Sequence, residues 1–539
     1  MRSRLRLKLL RRTIAYARFE PRLSNTRPVW VDALQATVAG ALAVLAFAPF
    51  YAWPIAVVSL VVLFSQWVRA TSPRRAALVG FSWGLGLFLV GVPWLYVSLH
   101  TYGSMPAPLA ALAILLFCVY LSLFPALAGY LQAKMPLALH VRLLLLMPAT
   151  FVAAEMFRGW FVTGFPWLIL GYTQTPSALS LAPLAGYAPV FGVFSISFLL
   201  AATAGAIVLA PAKLSGVIIN ATLRRYLTIG GVSIWIGGVL LGAYEWSSPS
   251  GAPMPVSLAQ GNVPQDLKWR EDQAAASLEN YLQLVEQSRG KLIVLPETAL
   301  PFMLQDVPRT VIGAMADKAR EQGGEVLLGV AFWDTSPAAD GTRRYYNGAV
   351  SFGTSPAQQY AKHHLVAFGE FVPPLFSWVY QWLKMPLSGF TPGVEKQLPM
   401  RLAGHRVAVN ICYEDAFGWE IAGSLPEAEL LVNLSNMAWF GTYLAADQHA
   451  QFSQMRAIET ARWMVRATNT GLTAAINEKG RIVASLPQFS RGVLEVLATP
   501  MQGATPYSRW RDVPMLLLLG CALVFGVTVS TRRRSKVEN

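Results

Sequence analysis

Charged residues are scarce in this chain, which excludes an ordinary soluble enzyme. Asp, Glu, Lys and Arg make up 14% of the 539 residues, hydrophobic residues make up 54%, and the mean hydropathy is +0.42. Such a composition is typical of a polytopic membrane protein. In the apolar regions, Asp32, Glu155 and Glu245 fall at predicted helix ends. A proton-coupled transporter usually carries ionisable residues near mid-helix, so this pattern disfavours transport.

The polar part of the chain lacks the basic excess that nucleic-acid binding requires. The net charge is +15, yet residues 247–513 hold 22 basic and 24 acidic residues. Residues 1–28 alone hold nine basic residues and one Glu. Because the basic excess flanks apolar segments, it indicates membrane topology, and we expect no nucleic-acid partner.

Cysteine is also rare, with three residues in the chain, and Cys412 alone lies in the polar part. With no second cysteine there, no disulfide can form within that part. Burial alone favours an inert thiol, and a reactive one is the alternative. Metal-binding spacing is absent as well, since the adjacent His363 and His364 would face opposite ways on a strand. We therefore expect no metal and no other cofactor.

Long apolar runs are abundant, and they predict a membrane domain. Most are long enough to cross a hydrocarbon core of roughly 30 Å. Basic residues concentrate in alternate loops, which places both termini in the cytoplasm. The sequence also predicts an aromatic belt at the outer face of the membrane that these helices cross, formed by Trp94, Trp160 and Trp167. The eight runs lie near residues 33–49, 53–68, 77–98, 107–132, 142–157, 189–210, 227–244 and 513–530.

These patterns predict five regions in the chain. The first apolar run has no convincing cleavage site, so we interpret it as a retained helix rather than a signal peptide. The basic leader before it is a topology signal or, alternatively, an amphipathic surface helix. The regions are a cytoplasmic leader (1–28), a membrane domain of seven helices (29–246), an outer domain (247–512), an eighth transmembrane helix (513–531) and a cytoplasmic tail (532–539).

The outer domain alternates strand and helix patterns, which predicts a layered α/β fold. Helical patterns cover residues 272–288 and 307–322. Strand patterns cover Val256–Gln260, Lys291–Leu295, Glu325–Phe332, Gly348–Phe352, Val407–Cys412 and Leu430–Leu434.

Three segments of this domain together suit a thiol nucleophile. KLIVLPETALP is an apolar strand that ends before Glu297. YAKHHLVAFGEFVP contains Lys362 and Glu370, and VNICYED contains Cys412. A thiol must lose its proton to attack a carbonyl carbon. We expect Glu297 to act as general base with a pKa raised by burial, and Lys362 to stabilise an oxyanion.

The order and context of these residues resemble the nitrilase, or carbon–nitrogen hydrolase, superfamily. The match is closer still to its membrane branch, the bacterial apolipoprotein N-acyltransferases. The resemblance covers nearly the whole chain, and its motifs are specific in combination. They are GVPWLYVSLHTYG (91–103), FRGWFVTGFPW (157–167), QGNVPQDLKW (260–269), LPETALP, KHHLVAFGEFVP, ICYED, NLSNMAWFG (433–441) and RATNTGLT (466–473).

The resemblance implies a fold and a role for each matching residue. The fold is a four-layer αββα sandwich on eight membrane helices. Glu297 would be the base, Lys362 the oxyanion stabiliser and Cys412 the nucleophile. Glu370 would assist Lys362. Tyr413 and Glu414 would shape the pocket, Trp269 would line the substrate entrance, and Trp439 would lie on a nearby mobile loop.

The resemblance also implies the reaction and its partners. Cys412 would take an acyl chain from a phospholipid, phosphatidylethanolamine, and pass it to the α-amine of a lipoprotein's diacylglyceryl-cysteine. The enzyme would be a monomer in the bacterial inner membrane with its catalytic domain in the periplasm.

Two positions depart from the family pattern, and two rival functions remain open. Met437 stands where the family usually has Asp, and Ala367 stands where proline usually precedes FGE. One rival is a membrane-tethered amidase or nitrilase that uses water as acceptor. The other is a transporter or lipid-binding protein with an inactive enzyme-like domain, for which Met437 is the one hint.

Overall fold

The computed structural model describes residues 27–211, 220–268, 270–334, 343–373 and 389–538. Trp269 and residues 1–26 of the basic leader lie outside the described residues. The longer helices, in chain order, are α1 (Val29–Ala43), α2 (Pro54–Arg69), α3 (Pro73–Gly91), α4 (Ala107–Lys134), α5 (Leu139–Arg158), α6 (Val193–Leu209), α7 (Ala221–Ala243), α8 (Glu271–Gln287), α9 (Arg309–Glu321), α10 (Ala445–Thr460) and α11 (Val513–Glu538).

Each predicted apolar run coincides with one of α1–α7 or α11. Five helical stretches in the described residues are long and apolar enough to span a membrane: Val29–Ala46, α4, α5, α7 and Val513–Thr531. Helices α2 and α6 are apolar but shorter. The polytopic helical class is confirmed, whereas the count of eight spans and the domain limits stay predictions.

Close backbone contacts hold the first membrane helices together. Gly86 of α3 lies so near α1 that a Cβ atom there would be 1.9 Å from the Thr37 carbonyl oxygen. Gly80 approaches the Pro125 carbonyl of α4 in the same way. In the first turn of α1, Asp32 Oδ2 lies 2.6 Å from Arg75 Nη2. Small residues and a paired charge are typical of helix interfaces in membranes.

The outer domain contains two six-stranded sheets and a small two-stranded one. The strands are β1 (Ser248–Pro249), β2 (Met254–Gln260), β3 (Leu292–Val294), β4 (Glu325–Trp333), β5 (Tyr345–Gly353), β6 (Gln358–Ala361), β7 (Met400–Leu402), β8 (His405–Ile411), β9 (Leu430–Ser435), β10 (Met464–Thr468), β11 (Ala474–Ile476), β12 (Ile482–Ser485), β13 (Gly492–Ala498) and β14 (Met501–Gln502). The first sheet has the order β13-β2-β3-β4-β5-β6, and the second has the order β12-β11-β10-β9-β8-β7.

The two sheets pack face to face, and helices cover their outer faces. Leu258 and Val294 of the first sheet share a buried core with Val409 and Val432 of the second. Helices α8 and α9 pack on the outer face of the first sheet, and α10 packs on that of the second. The predicted αββα sandwich is therefore confirmed. Parallel strands β2–β3–β4 and β8–β9–β10 end on the same side of the sandwich, where polar side chains can gather.

Helix α10 joins the sandwich to the membrane part. Its glutamines look solvent-exposed in the sequence, but the helix is almost wholly buried. Gln451 Oε1 accepts from the Ala48 N–H, and Gln451 Nε2 donates to the Tyr172 carbonyl. Glu459 Oε1 accepts from the Val193 N–H at the start of α6. These polar groups replace water for backbone groups that would otherwise be buried without partners.

The predicted aromatic belt is wrong for two of its three tryptophans. Trp160 is 73% exposed, whereas Trp94 is 2% and Trp167 is 3% exposed. Both buried indoles donate to Gln448 Oε1 of α10, at 3.3 Å and 2.6 Å. They lie between the membrane helices and the sandwich because each indole N–H finds its acceptor there.

We predict that Gln448→Leu loosens this junction. The change leaves the Trp94 and Trp167 N–H groups buried without an acceptor, at about 1–3 kcal/mol each. The midpoint of thermal unfolding in detergent should fall by several degrees. The control is Gln359→Leu, at an exposed position of β6. Equal midpoints for the two variants would show that Gln448 does not hold the junction.

Candidate active site

Glu297 follows β3 directly after Pro296, and its side chain is buried. Lys362 Nζ lies 3.2 Å from Glu297 Oε1, and the Asn436 N–H donates to Glu297 Oε2 at 3.0 Å. Lys362 therefore holds one carboxylate oxygen of the predicted base, and the main chain after β9 holds the other.

Lys362 follows β6 and lies between two carboxylates. Its Nζ is 3.0 Å from Glu370 Oε1, and the side chain is almost fully buried. Glu370 Oε2 also accepts from the Val366 N–H at 2.8 Å, which closes the loop that carries both residues. Burial of the ammonium is possible because two carboxylates surround it, and their charges raise the pKa of Lys362 despite burial.

Asn347 of β5 bridges the two carboxylates, and sequence reasoning missed it. Its Nδ2 donates to Glu297 Oε1 at 2.7 Å and to Glu370 Oε1 at 2.6 Å. A single asparagine in a strand carries no distinctive motif. Its one signal in the sequence is a polar side chain inside the otherwise small and apolar stretch NGAV.

The expectation of a raised pKa for Glu297 was wrong in sign. Burial acts to raise the pKa, but Lys362 and the Asn347 amide outweigh it, so the pKa lies below its usual value. Glu297 is thus ionised at neutral pH. The prediction from the sequence considered burial and omitted the hydrogen bonds that stabilise the charged form.

Cys412 directly follows β8, is half-buried and has a backbone φ of 53°. This left-handed conformation costs a non-glycine residue on the order of 1–3 kcal/mol and commonly marks functional sites. Burial and the charge of Glu297 raise the pKa of the thiol, while the charge of Lys362 partly lowers it. The resting site therefore holds a thiol beside an ionised carboxylate and an ammonium.

Glu414 connects the Cys412 segment to the Lys362 segment. One carboxylate oxygen accepts from the Ile411 N–H at 2.6 Å and the Tyr360 hydroxyl at 2.9 Å. The other accepts from the His363 and His364 N–H groups. Burial raises the pKa of Glu414 to about 7. Glu414 therefore links these two segments of the chain.

Two other predicted residues contact the membrane part. The Tyr413 hydroxyl donates to the Gly164 carbonyl at 3.3 Å. The Trp439 carbonyl accepts from the Ser98 hydroxyl at 2.8 Å, and its indole packs edge-on against Tyr102. Both therefore lie where the site meets the membrane helices.

A second buried lysine, Lys268, also went unrecognised as part of the site. Its Nζ donates to the Thr298 hydroxyl at 2.9 Å and to the Glu297 carbonyl at 3.4 Å. Burial lowers the pKa of Lys268 to about 7, against the opposing charge of Glu297.

Within the described ranges, no three His, Cys, Asp or Glu residues gather as a metal site would require.

Comparisons with known proteins agree with this fold. Residues 39–206 match the model of the apolipoprotein N-acyltransferase N-terminal domain, and residues 256–502 match that of the carbon–nitrogen hydrolases. Proteins named apolipoprotein N-acyltransferase from Nitrosomonas europaea and Methylococcus capsulatus are 45% and 42% identical. These alignments cover 92% and 93% of this chain and 97% and 96% of the relatives.

A Pseudomonas aeruginosa protein of the same name is 38% identical over 93% of this chain and 96% of its own length. Both family models match in order along one chain, and the relatives align over nearly their full length. The chain therefore belongs to the apolipoprotein N-acyltransferase family, within the carbon–nitrogen hydrolases.

Proposed function

We propose that this membrane enzyme moves an acyl chain from a phospholipid, through a thioester on Cys412, to the N-terminal amine of a lipoprotein. The acceptor is the α-amine of a diacylglyceryl-cysteine, and the donor is phosphatidylethanolamine. The observation that carries the proposal is the convergence of Glu297, Lys362 and Cys412 at strand ends that adjoin the membrane part.

In the first half-reaction, the sulfur of Cys412 attacks the ester carbonyl carbon of the phospholipid. Glu297 takes the thiol proton and passes it to the departing glycerol oxygen, so that a lysophospholipid leaves. Lys362 stabilises the negative oxygen of the tetrahedral intermediate, because its charge is already desolvated and oriented by Glu297 and Glu370. The product is a thioester.

In the second half-reaction, the lipoprotein amine attacks the thioester carbonyl carbon. The C–S bond breaks, an amide forms, and the amine proton returns to the sulfur through Glu297. Because the phospholipid product leaves before the acceptor reacts, the kinetics are ping-pong. Glu370 keeps Lys362 in place, Glu414 and Tyr413 order the segment beside the nucleophile, and Trp269 and Trp439 contact the lipid substrates.

The substrates explain the membrane part. Donor and acceptor are both anchored in a bilayer, so the site must face the membrane surface. We place the enzyme in the bacterial inner membrane as a monomer, with the sandwich in the periplasm and both termini in the cytoplasm. Alternation of the basic loops supports this orientation.

The rival functions make different predictions. An amidase would release ammonia from a small amide without any lipid, and a binding protein would not depend on its thiol. Met437, the hint for an inactive domain, is buried against Gly471 and the apolar core of the membrane part. Since its side chain packs there, its presence leaves the Glu297–Lys362–Glu370 contacts intact.

We predict that the purified protein acquires one acyl group per chain from labelled phosphatidylethanolamine when no acceptor is present. Cys412→Ala should acquire none, and hydroxylamine or a diacylglyceryl-cysteine peptide should remove the label. Intact-protein mass spectrometry measures each outcome. A folded wild-type protein that stays unlabelled would overturn the proposal, and label lost equally fast to water without the peptide would favour the amidase.

We predict that Glu297→Gln changes two rates in opposite directions. Acylation by phospholipid should fall by more than about 100-fold, because the general base is lost. Alkylation of Cys412 by iodoacetamide at pH 8 should become several-fold faster, because the charge of Glu297 raises the thiol pKa and its removal yields more thiolate.

Mass spectrometry of the Cys412 peptide follows the alkylation. Glu321→Gln, at the exposed end of α9, is the matched control and should leave both rates unchanged. If alkylation slowed together with acylation, Glu297 would already be activating the thiol in the resting enzyme, and the charge assignment would be wrong.

A further inference from the structure

A histidine of α10 reaches the main chain of the nucleophile. His449 Nε2 lies 3.1 Å from the Cys412 carbonyl oxygen, and Asn433 Nδ2 donates to the same oxygen at 3.1 Å. Both side chains are fully buried. The ladder between β8 and β9 ends at Ile411, one residue before Cys412, so these side chains supply the partners that a buried carbonyl needs.

The neighbours of His449 determine where its proton lies. Arg466 Nη2 lies 2.8 Å from His449 Nδ1. Because a guanidinium can only donate, Nδ1 must accept, and the ring proton resides on Nε2. Asp415 Oδ1 is 3.0 Å from Nε2 but outside hydrogen-bond geometry. The Nε2–H is therefore directed at the Cys412 oxygen.

Trp167 of the membrane part stacks with the His449 ring. The Trp167 indole lies parallel to the His449 ring, with an interplanar angle of 8° and 6.1 Å between centroids. The same indole also lies beside the Tyr413 ring, at 6.2 Å. Arg466 from the sheet and Trp167 from the membrane part thus fix the imidazole from two sides.

We propose that His449 is a positioning residue for acyl transfer, acting through the Cys412 carbonyl. Its Nε2–H stabilises the strained backbone conformation in which the sulfur meets the Glu297–Lys362 pair. Because a trans peptide is planar, a fixed Cys412 carbonyl also directs the Tyr413 N–H away from His449. Trp167 makes this geometry depend on contact with the membrane part. The predicted loss of kcat rests on the proposed function, whereas the predicted effect on the Cys412 backbone does not.

Two variants of similar length separate the hydrogen bond from the packing. His449→Gln keeps an N–H donor near the position of Nε2, whereas His449→Met does not. Both lose the aromatic stack on Trp167 and the contact with Arg466. We expect both variants to fold, because they lose the same packing contacts, and His449→Met to be the less stable because it also loses the hydrogen bond.

The two variants should differ in catalysis. His449→Met should lower kcat for Cys412 acylation more than about tenfold with KM almost unchanged, because a misplaced nucleophile reacts slowly without weakening binding. His449→Gln should keep most of the wild-type kcat. Iodoacetamide alkylation of Cys412 should likewise differ between the variants, and this readout does not require any acyl donor.

Equal kcat and equal alkylation in the two variants would overturn the proposal and leave His449 a packing residue. If neither variant folds, Asn433→Asp removes the second donor to the same carbonyl with little change of shape. It should then lower kcat without changing KM, and an unchanged kcat would overturn the proposal. Failure of the proposed function alone would appear as an unlabelled wild-type protein in which the alkylation difference between the His449 variants persists.

Discussion

The buried ammonium of Lys362, held between Glu297 and Glu370, is the interaction on which the site depends. Two carboxylates that share one asparagine donor could not both stay ionised in a buried site without a cation. Lys362 contacts both carboxylates and holds them in fixed positions. Burial and the charge of Glu297 raise the pKa of the Cys412 thiol against the opposing charge of Lys362, so the proposed nucleophile is kept protonated until a substrate arrives.

This charge arrangement suits a site that handles lipids. A permanent thiolate would be open to unwanted alkylation and oxidation, whereas a thiol beside an ionised base reacts when an ester carbonyl accepts the developing charge. The membrane part contributes to the site as well as anchoring it. Gly164 contacts Tyr413, Ser98 contacts Trp439, and Trp167 lies on His449. The geometry of the candidate site is therefore built by both parts of the chain.

Much of the fold could be predicted from local patterns. The apolar runs predicted the helices, and the six strand predictions fall on β2, β3, β4, β5, β8 and β9. Short strands such as β7 and β11 were missed, since three residues carry too little periodicity. Helix α10 was missed for a different reason. Its glutamines at 448, 451 and 454 look like a solvated face, although they bond to the membrane part.

The site could be predicted in part for similar reasons. Glu297, Lys362, Glu370 and Cys412 lie in recognisable segments, but Asn347, Lys268 and His449 become relevant through contacts between residues far apart in sequence. The pKa of Glu297 illustrates this limit of sequence-based prediction. Burial can be inferred from an apolar strand, whereas the opposing hydrogen bonds are visible only in the folded structure. The buried positions of Trp94 and Trp167 likewise depend on Gln448, which no membrane pattern reveals.

The protonation state of the resting nucleophile is the most direct test of this electrostatic arrangement. The infrared difference spectrum between the wild-type enzyme and Cys412→Ser isolates the S–H stretching band of Cys412 from those of Cys118 and Cys521. We predict that this band is present at neutral pH and persists into mildly alkaline solution without lipid substrate. Its absence at neutral pH would mean a preformed thiolate and would contradict the role assigned to Lys362 and Glu297.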